Sequence, residues 1–272
     1  MMMNRLLSTV AACTLPLLAL GTIAAPTAAD AQVQSRLVEI TKSGKLRVCQ
    51  YPMYYAISFR DPTTGEITGI DADMSKELAK ELDVELEIVE SAFGTFIADI
   101  QANKCDIGMF GIGATLARAQ AVEFSKPYLK SSIFGIVRQD SEIKDWADID
   151  QPGVTVVTTL GSYVEPFLRG YLKEATLSAI SPPATREGEL MAGRADVVMT
   201  DYPTAMKLKS EFDWPRVVAS DVPLSVTPYA YVVPQGDQVW LNYVNLFIDT
   251  VAMDGRLEAF AEKHGLTEIL VK

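Results

Sequence analysis

The sequence predicts an α/β protein built as two lobes joined by two extended crossings. Three observations lead there. Strand and helix signals alternate along the chain. The alternation forms two βα-rich blocks, and a return strand and helices follow the second. Two extended segments, near residues 129 to 138 and 222 to 232, lie where one block gives way to the other.

The elements follow in order. Residues 45–49 read as a short apolar strand after Gly44, and Asp61-Pro62-Thr63-Thr64-Gly65 as a hairpin-like turn. Over residues 71–82, Met74, Leu78, Ala79 and Leu82 share one helical face, with Asp71 or Asp73 placed to cap it. Residues 84–89 form the next strand, 93–102 a helix with Phe96, Ile97 and Ile100 inward, and 106–110 a third strand ended by Gly111-Ile112-Gly113. Phe124-Ser125-Lys126-Pro127-Tyr128 reads as a loop leading into the extended stretch 133–138. The second block holds a short helix at 146–150, a strand at 153–158, helices at 162–174 and 184–193, a strand at 196–200 and a helix at 202–209. Residues 229–234 are extended, and helices at 237–250 and 257–264 close the pattern. Lobe 1 is thus expected to hold residues 36–129 and 230–272, and lobe 2 residues 130–229 with the crossings.

In front of this pattern stands a targeting segment. Arg5 is the only charge before Asp30, residues 6–25 are almost wholly apolar or small, and Ala29-Asp30-Ala31 fits a small-x-small cleavage site. The expected cut follows Ala31, leaving 1–31 as a signal peptide and placing the mature chain in the periplasm. A retained anchor is the alternative; Pro16, Pro26 and the lack of a stop-transfer charge count against it. Val10-Ala11-Ala12-Cys13 loosely matches a lipoprotein box but falls before most of the apolar run.

The formal net charge of −11 argues against nucleic acid or anionic membranes as partners. Beyond the leader lie two cysteines, Cys49 and Cys105. Counted along neighbouring parallel strands they fall several residues out of register, so two buried free thiols are expected. They do not make a metal site: there is no CxxC spacing, and the single histidine, His264, lies elsewhere as an exposed neighbour of a helix end. No serine or cysteine nucleophile has a histidine near it in the pattern.

Three short segments carry chemistry. Gly69-Ile70-Asp71-Ala72-Asp73-Met74 opens a helix. Thr115-Leu116-Ala117-Arg118 sets an arginine just after a small-residue loop. Ala195-Asp196-Val197-Val198-Met199-Thr200-Asp201 ends an apolar strand on an aspartate. One cation and one anion on two facing lobes are what a receptor for a free amino acid needs. Taken singly, an arginine at a helix start or an aspartate after a strand is more often solvated or locally paired.

Read together, these segments resemble the periplasmic amino-acid-binding proteins of ABC importers, the family 3 (polar amino acid) solute-binding proteins. Gly44 to Val48 resembles their opening strand. Tyr54 to Phe59 stands at their aromatic-Pro-Pro-Phe-Ser-Phe segment, and Gly65 to Met74 at G-x-x-x-G-[FI]-D-x-[DE]. Asp106 to Arg118 resembles the strand, loop and T-x-x-R. Phe124 to Tyr128 matches F-S-x-P-Y, and Gly193 to Asp201 the G-[RK]-x-D segment. The resemblance implies a type II periplasmic-binding-protein fold whose lobes close by hinge motion. It implies a monomer, without cofactor or metal, that delivers an amino acid to an ABC permease. It also implies roles. Arg118 clamps the ligand α-carboxylate, aided by backbone amides near Gly113 and Thr115. Asp201 receives the α-ammonium, Ser162 donates from a helix N-terminus, and Phe93, Tyr54 and Tyr51 line the pocket. For Phe93 a core position, and for Ser162 a plain N-cap, stand as alternatives.

This chain departs from the family pattern at instructive places. Tyr55-Ala56 replaces a proline pair, and Gly111 and Gly113 replace loop serines. Tyr51 stands where receptors for cationic amino acids carry an acid, so a buried ammonium side chain would lack its partner. A neutral, non-cationic ligand is expected.

A second class shares the fold: the cyclohexadienyl (prephenate or arogenate) dehydratases, which look like such receptors with a pocket glutamate as general acid. Glu165, in Gly161-Ser162-Tyr163-Val164-Glu165, falls near that place. The bland reading is a capping box, Ser162-x-x-Glu165, favoured by the helix dipole.

Overall fold

The protein is described here from a computed structural model covering residues 35–271. The leader and its cleavage site lie outside the described residues.

The first block starts with α1 (Arg36–Ser43), capped by the Ser35 hydroxyl accepting from the Leu37 N–H and ended by Gly44 at φ 70°. Then come β1 (Lys45–Gln50), the small antiparallel strands β2 (Met53–Tyr54), β3 (Ser58–Arg60) and β4 (Ile67–Thr68), α2 (Ile70–Glu81), β5 (Glu85–Glu90), α3 (Phe96–Gln101), β6 (Ile107–Gly108) and β7 (Glu123–Ser131). The second block holds β8 (Ile133–Arg138), β9 (Thr155–Thr159), α4 (Val164–Tyr171), β10 (Thr176–Ile180), α5 (Arg186–Met191), β11 (Val197–Asp201), α6 (Tyr202–Glu211) and β12 (Pro215–Val218). The chain returns as β13 (Thr227–Val233), followed by α7 (Gln238–Met253) and α8 (Arg256–Lys263).

Two five-stranded sheets result, ordered β5-β1-β6-β13-β7 and β10-β9-β11-β8-β12. Each mixes parallel strands with antiparallel ones at one side. The chain passes between sheets twice, from Ser131 to Ile133 and from Val218 to Thr227. The two passages run side by side: Thr227 pairs with Ser131, and the Ile133 N–H donates to the Leu224 carbonyl. β7 and β13 therefore belong to the first sheet while leading into the second. This is the two-lobed α/β architecture that the alternation of elements predicts.

Several local readings need correcting. Phe124 to Tyr128 is strand, not loop: β7 is the edge of its sheet, where Pro127 removes no ladder bond that the sheet needs. The edge strands β10 and β12 and helix α1 carry too weak a pattern to be seen in the sequence. Neither Asp71 nor Asp73 caps α2. The cap is Gly69, at φ 129°, where a Cβ would collide with the Ile57 carbonyl. Asp73 instead accepts from Lys263 and sits 2.7 Å from His264 Nε2, so this histidine is tied down rather than free in solvent.

Cys49 and Cys105 are not free thiols; they form a disulfide with Cα atoms 5.6 Å apart. Counting along the ladder misplaces Cys105 because β6 is only Ile107–Gly108. Cys105 precedes the paired strand, where the chain turns in and the Asp106 N–H donates to the Arg47 carbonyl. There the separation falls within the range a bridge tolerates.

Candidate functional site

The site lies where the ends of β1, β11 and the Gly111–Thr115 loop meet α4. The loop is fixed first. Ala114 N–H donates to the Pro228 carbonyl and Ala230 N–H to the Ile112 carbonyl, zipping it to the start of β13. Gly113 is pressed between Tyr163 of the other lobe and the start of β13: a Cβ there would stand 3.0 Å from side-chain carbons of both Tyr163 and Thr227. Thr115 Oγ1 accepts from the Arg118 N–H at 3.3 Å, capping the short turn that carries the arginine.

Arg118 spans the junction. Nη1 donates to the Gly113 carbonyl and Nη2 to the Gly161 carbonyl, each at 2.7 Å. Its guanidinium carbon lies 5.3 Å from the centre of the Phe96 ring and 6.0 Å from that of Phe93. Burial pulls its pKa down to about 10, partly offset by the phenols of Tyr54, Tyr163 and Tyr229. Among the described residues its side chain bonds two carbonyls and no carboxylate.

Asp201 stands at the end of β11 and caps α6. It is 5% exposed. The hydroxyls of Tyr54 and Tyr229 both donate to its Oδ2, the second at 2.5 Å. The Tyr163 hydroxyl lies 3.3 Å from that of Tyr229. Burial, then the Asp201 charge, raise all three phenols above their ordinary value, so they remain protonated donors. Arg118 pulls Tyr163 the opposite way. Among the described residues no lysine or arginine pairs with Asp201.

The cavity between the lobes measures about 20 Å³ and is walled by Tyr51, Tyr54, Phe93, Thr159, Ser162, Tyr163, Val164, Arg186, Thr200 and Asp201. That is room for about one water, so the lobes are closed on one another. Gly161, at φ 75°, makes the nearest approach: a Cβ there would stand 2.7 Å from Gly94 backbone atoms. The Ser162 hydroxyl is buried on this wall without a hydrogen-bond partner.

Of the residues singled out in the sequence, Tyr51, Tyr54, Phe93, Ser162 and Asp201 meet on this wall, with Arg118 adjoining through Gly161. Thr115 and Gly113 serve the loop that carries Arg118. Phe93 packs against Tyr51, Tyr54 and Phe110 at ring distances of 5.3, 5.6 and 5.2 Å, so it is both cavity wall and core. The capping box of Ser162 and Glu165 does not form. Glu165 accepts instead from the Gly161 N–H at 2.6 Å and from Arg169 at 3.0 and 2.6 Å, off the cavity wall. Sequence reasoning missed Tyr163, Tyr229, Thr200 and Arg186. Tyr163 was within reach, one residue past Ser162; Arg186 carried no signal, being one polar residue in the run Thr185-Arg186-Glu187.

Comparison with known proteins places the fold in a family. The profile of the bacterial extracellular solute-binding proteins, family 3, matches residues 46–267. The chain is 32% identical over 244 residues to cyclohexadienyl dehydratase of Pseudomonas aeruginosa, covering 88% of this chain and 90% of that protein. It is 25% identical over 227 residues to the L-cystine-binding protein TcyJ of Escherichia coli, covering 84% and 85%. A solved ancestral amino-acid-binding protein, described as a precursor of cyclohexadienyl dehydratase, is 33% identical with a TM-score of 0.78, covering 84% of this chain and 99% of that one. With two lobes, a closed cleft and a profile match along nearly the whole described chain, this protein belongs to the bacterial extracellular solute-binding proteins, family 3.

Proposed function

We propose that the protein is a periplasmic receptor that captures a free, non-cationic α-amino acid between its lobes and passes it to an ABC permease. One observation carries the reading. A guanidinium and a carboxylate flank the same tyrosine cluster at the junction, and neither meets an opposite charge. A buried charge held only by neutral groups keeps much of its desolvation cost. A zwitterion answers both at once, its α-carboxylate on Arg118 and its α-ammonium on Asp201, with the Ser162 hydroxyl as a further donor. On this reading the ligand's ammonium joins or displaces the Tyr54 and Tyr229 hydroxyls on Asp201, and its carboxylate displaces the Gly113 and Gly161 carbonyls on Arg118. Ligand entry opens the cleft and exchanges these contacts; it favours the closed state only as far as its contacts there are better.

Arg118→Ala is expected to weaken amino-acid binding by about a hundredfold or more, with an unchanged fold by circular dichroism. Calorimetry showing wild-type affinity in that variant refutes the carboxylate role.

The resemblance to cyclohexadienyl dehydratase supports a second reading, a lyase acting on prephenate with Glu165 as general acid. A general acid needs its carboxyl within reach of the departing group. Glu165 has its oxygens on the Gly161 N–H and Arg169 instead, which favours the receptor. Incubation with prephenate, followed by phenylpyruvate absorbance, decides: turnover that is lost in Glu165→Gln reverses the ranking.

A further inference from the structure

Arg186 opens α5, directly after the Thr185 cap, and its side chain lies on the wall of the interlobe cavity. The residues between 133 and 218 include five arginines. Four have evident structural employment. Arg138, Arg169 and Arg194 each pair with a carboxylate at 2.6 to 2.7 Å. Arg216 donates to the carbonyls of Ser141, Ile143 and Lys144. Arg186 differs. It makes one hydrogen bond, from Nη1 to the Thr200 hydroxyl at 2.8 Å, while only 13% of its side chain is exposed. Its neighbouring acid, Glu187, is 3.6 Å from Nη2, beyond hydrogen-bonding range, and off the cavity wall. Glu187 therefore offsets part of the charge without occupying the guanidinium donors. From the first lobe, the phenols near this cation are Tyr51 and Tyr55; burial raises both, with Arg186 a lowering influence and Glu187 a raising one on each.

Resting on the receptor reading above, we propose that Arg186 receives the side-chain carboxylate of the ligand, so that the receptor is built for a dicarboxylic amino acid, aspartate or glutamate. The charges around the cleft support this. Arg186 and Asp201 line the cleft and Arg118 adjoins it through Gly161, so the groups able to meet a ligand are two guanidiniums and one carboxylate, the complement of two carboxylates and one ammonium, with Glu187 beside Arg186 but off the wall. Thr200, on the same wall and just before Asp201, accepts from the guanidinium, so the proposed ammonium and side-chain sites are set by one strand end. A planar guanidinium with free donors suits a carboxylate by bidentate pairing. The sequence points to a neutral ligand because nothing in it shows that Arg186 reaches the cleft.

Calorimetry on the whole protein with L-aspartate, L-glutamate, their amides and L-leucine, and with prephenate, tests this. One of the acids is expected to bind about a hundredfold tighter than its amide. Arg186→Gln is expected to lose that preference, the acid and its amide then binding within about threefold of one another. The wild-type ratio needs no variant: amides or leucine binding as tightly as the acids overturns the Arg186 role and leaves Arg118 and Asp201 standing. An acid preference that persists in a folded Arg186→Gln protein also overturns it. Binding of prephenate with no amino acid bound overturns the receptor reading itself. Should Arg186→Gln not fold, Arg186→Lys supplies the measurement: it is expected to keep the acid preference at reduced affinity, and loss of that preference with unchanged amide binding counts against a charge-based site.

Discussion

Two buried aspartates in this molecule are held by nearly the same set of groups and serve different ends. Asp71 accepts from the Gly111 N–H at 2.7 Å and from the hydroxyls of Tyr128 at 2.6 Å and Tyr231 at 3.1 Å. Asp201 accepts from the hydroxyls of Tyr54 and Tyr229 and caps α6. The difference is what lies on the open side. Asp71 is fully enclosed, and its tyrosines come from β7 and β13, the two strands leading between the lobes; it pins those strands to the loop beneath the site. Asp201 faces the cavity, and its tyrosines stand on the wall or just behind it. The same motif is a lock where no space adjoins it and, on the proposed receptor reading, a receptacle where space does.

The largest expected effect separates the two. Asp201→Asn should weaken α-amino ligands by about a hundredfold while affecting deaminated analogues far less; equal losses in calorimetry would remove the ammonium role. Asp71→Asn should leave affinity within a few-fold and change stability instead. Burial raises the Asp71 pKa to about 7, its hydrogen bonds opposing this, whereas an unfolded aspartate titrates near about 3.9. Between those values the folded chain holds a proton that the unfolded chain lacks. This group's contribution therefore improves as pH falls from about 7 toward about 4 and levels off outside that window. Denaturation midpoints should show that trend in wild type relative to Asp71→Asn; a difference that grows with rising pH would mean the carboxylate is favoured when charged.

The tyrosines sharpen the contrast. Tyr128→Phe should cost about 1 to 2 kcal/mol of stability with little change in binding. Tyr229→Phe should change affinity by up to about tenfold, because it removes a group that the ligand must displace from Asp201. Paired melts and titrations distinguish them. The smallest effect is expected at Glu165→Gln: a stability loss of about 1 kcal/mol from a helix ion pair and one backbone contact, and affinity within about threefold.

Arg118 and Asp201 are legible through the ordered set of motifs that resembles the family; position alone, after a small-residue loop or at the end of an apolar strand, would leave each as an ordinary solvated or locally paired charge. Periodicity places the core helices and strands. What the sequence hides is whatever depends on long-range placement. Arg186 looks like any polar residue at a helix start until folding turns it inward. Tyr229 reads as one residue of an extended apolar stretch, yet it meets Asp201 through a pairing set far away in the chain. The cysteines mislead because strand length, not strand identity, decides whether they meet. Asp71 reads as a cap because the glycine before it, forced by the close Ile57 carbonyl, takes that position in the backbone.

Gly161 turns one missing methyl into a control over the whole molecule. Its α-carbon comes so close to the backbone of Gly94 that alanine there would act as a wedge, holding the halves ajar. On the proposed receptor reading no ligand-contacting side chain changes, yet the fraction of molecules able to shut should fall, and apparent affinity with it. The free-energy cost of shutting the jaws thus becomes readable from a single substitution at the rim.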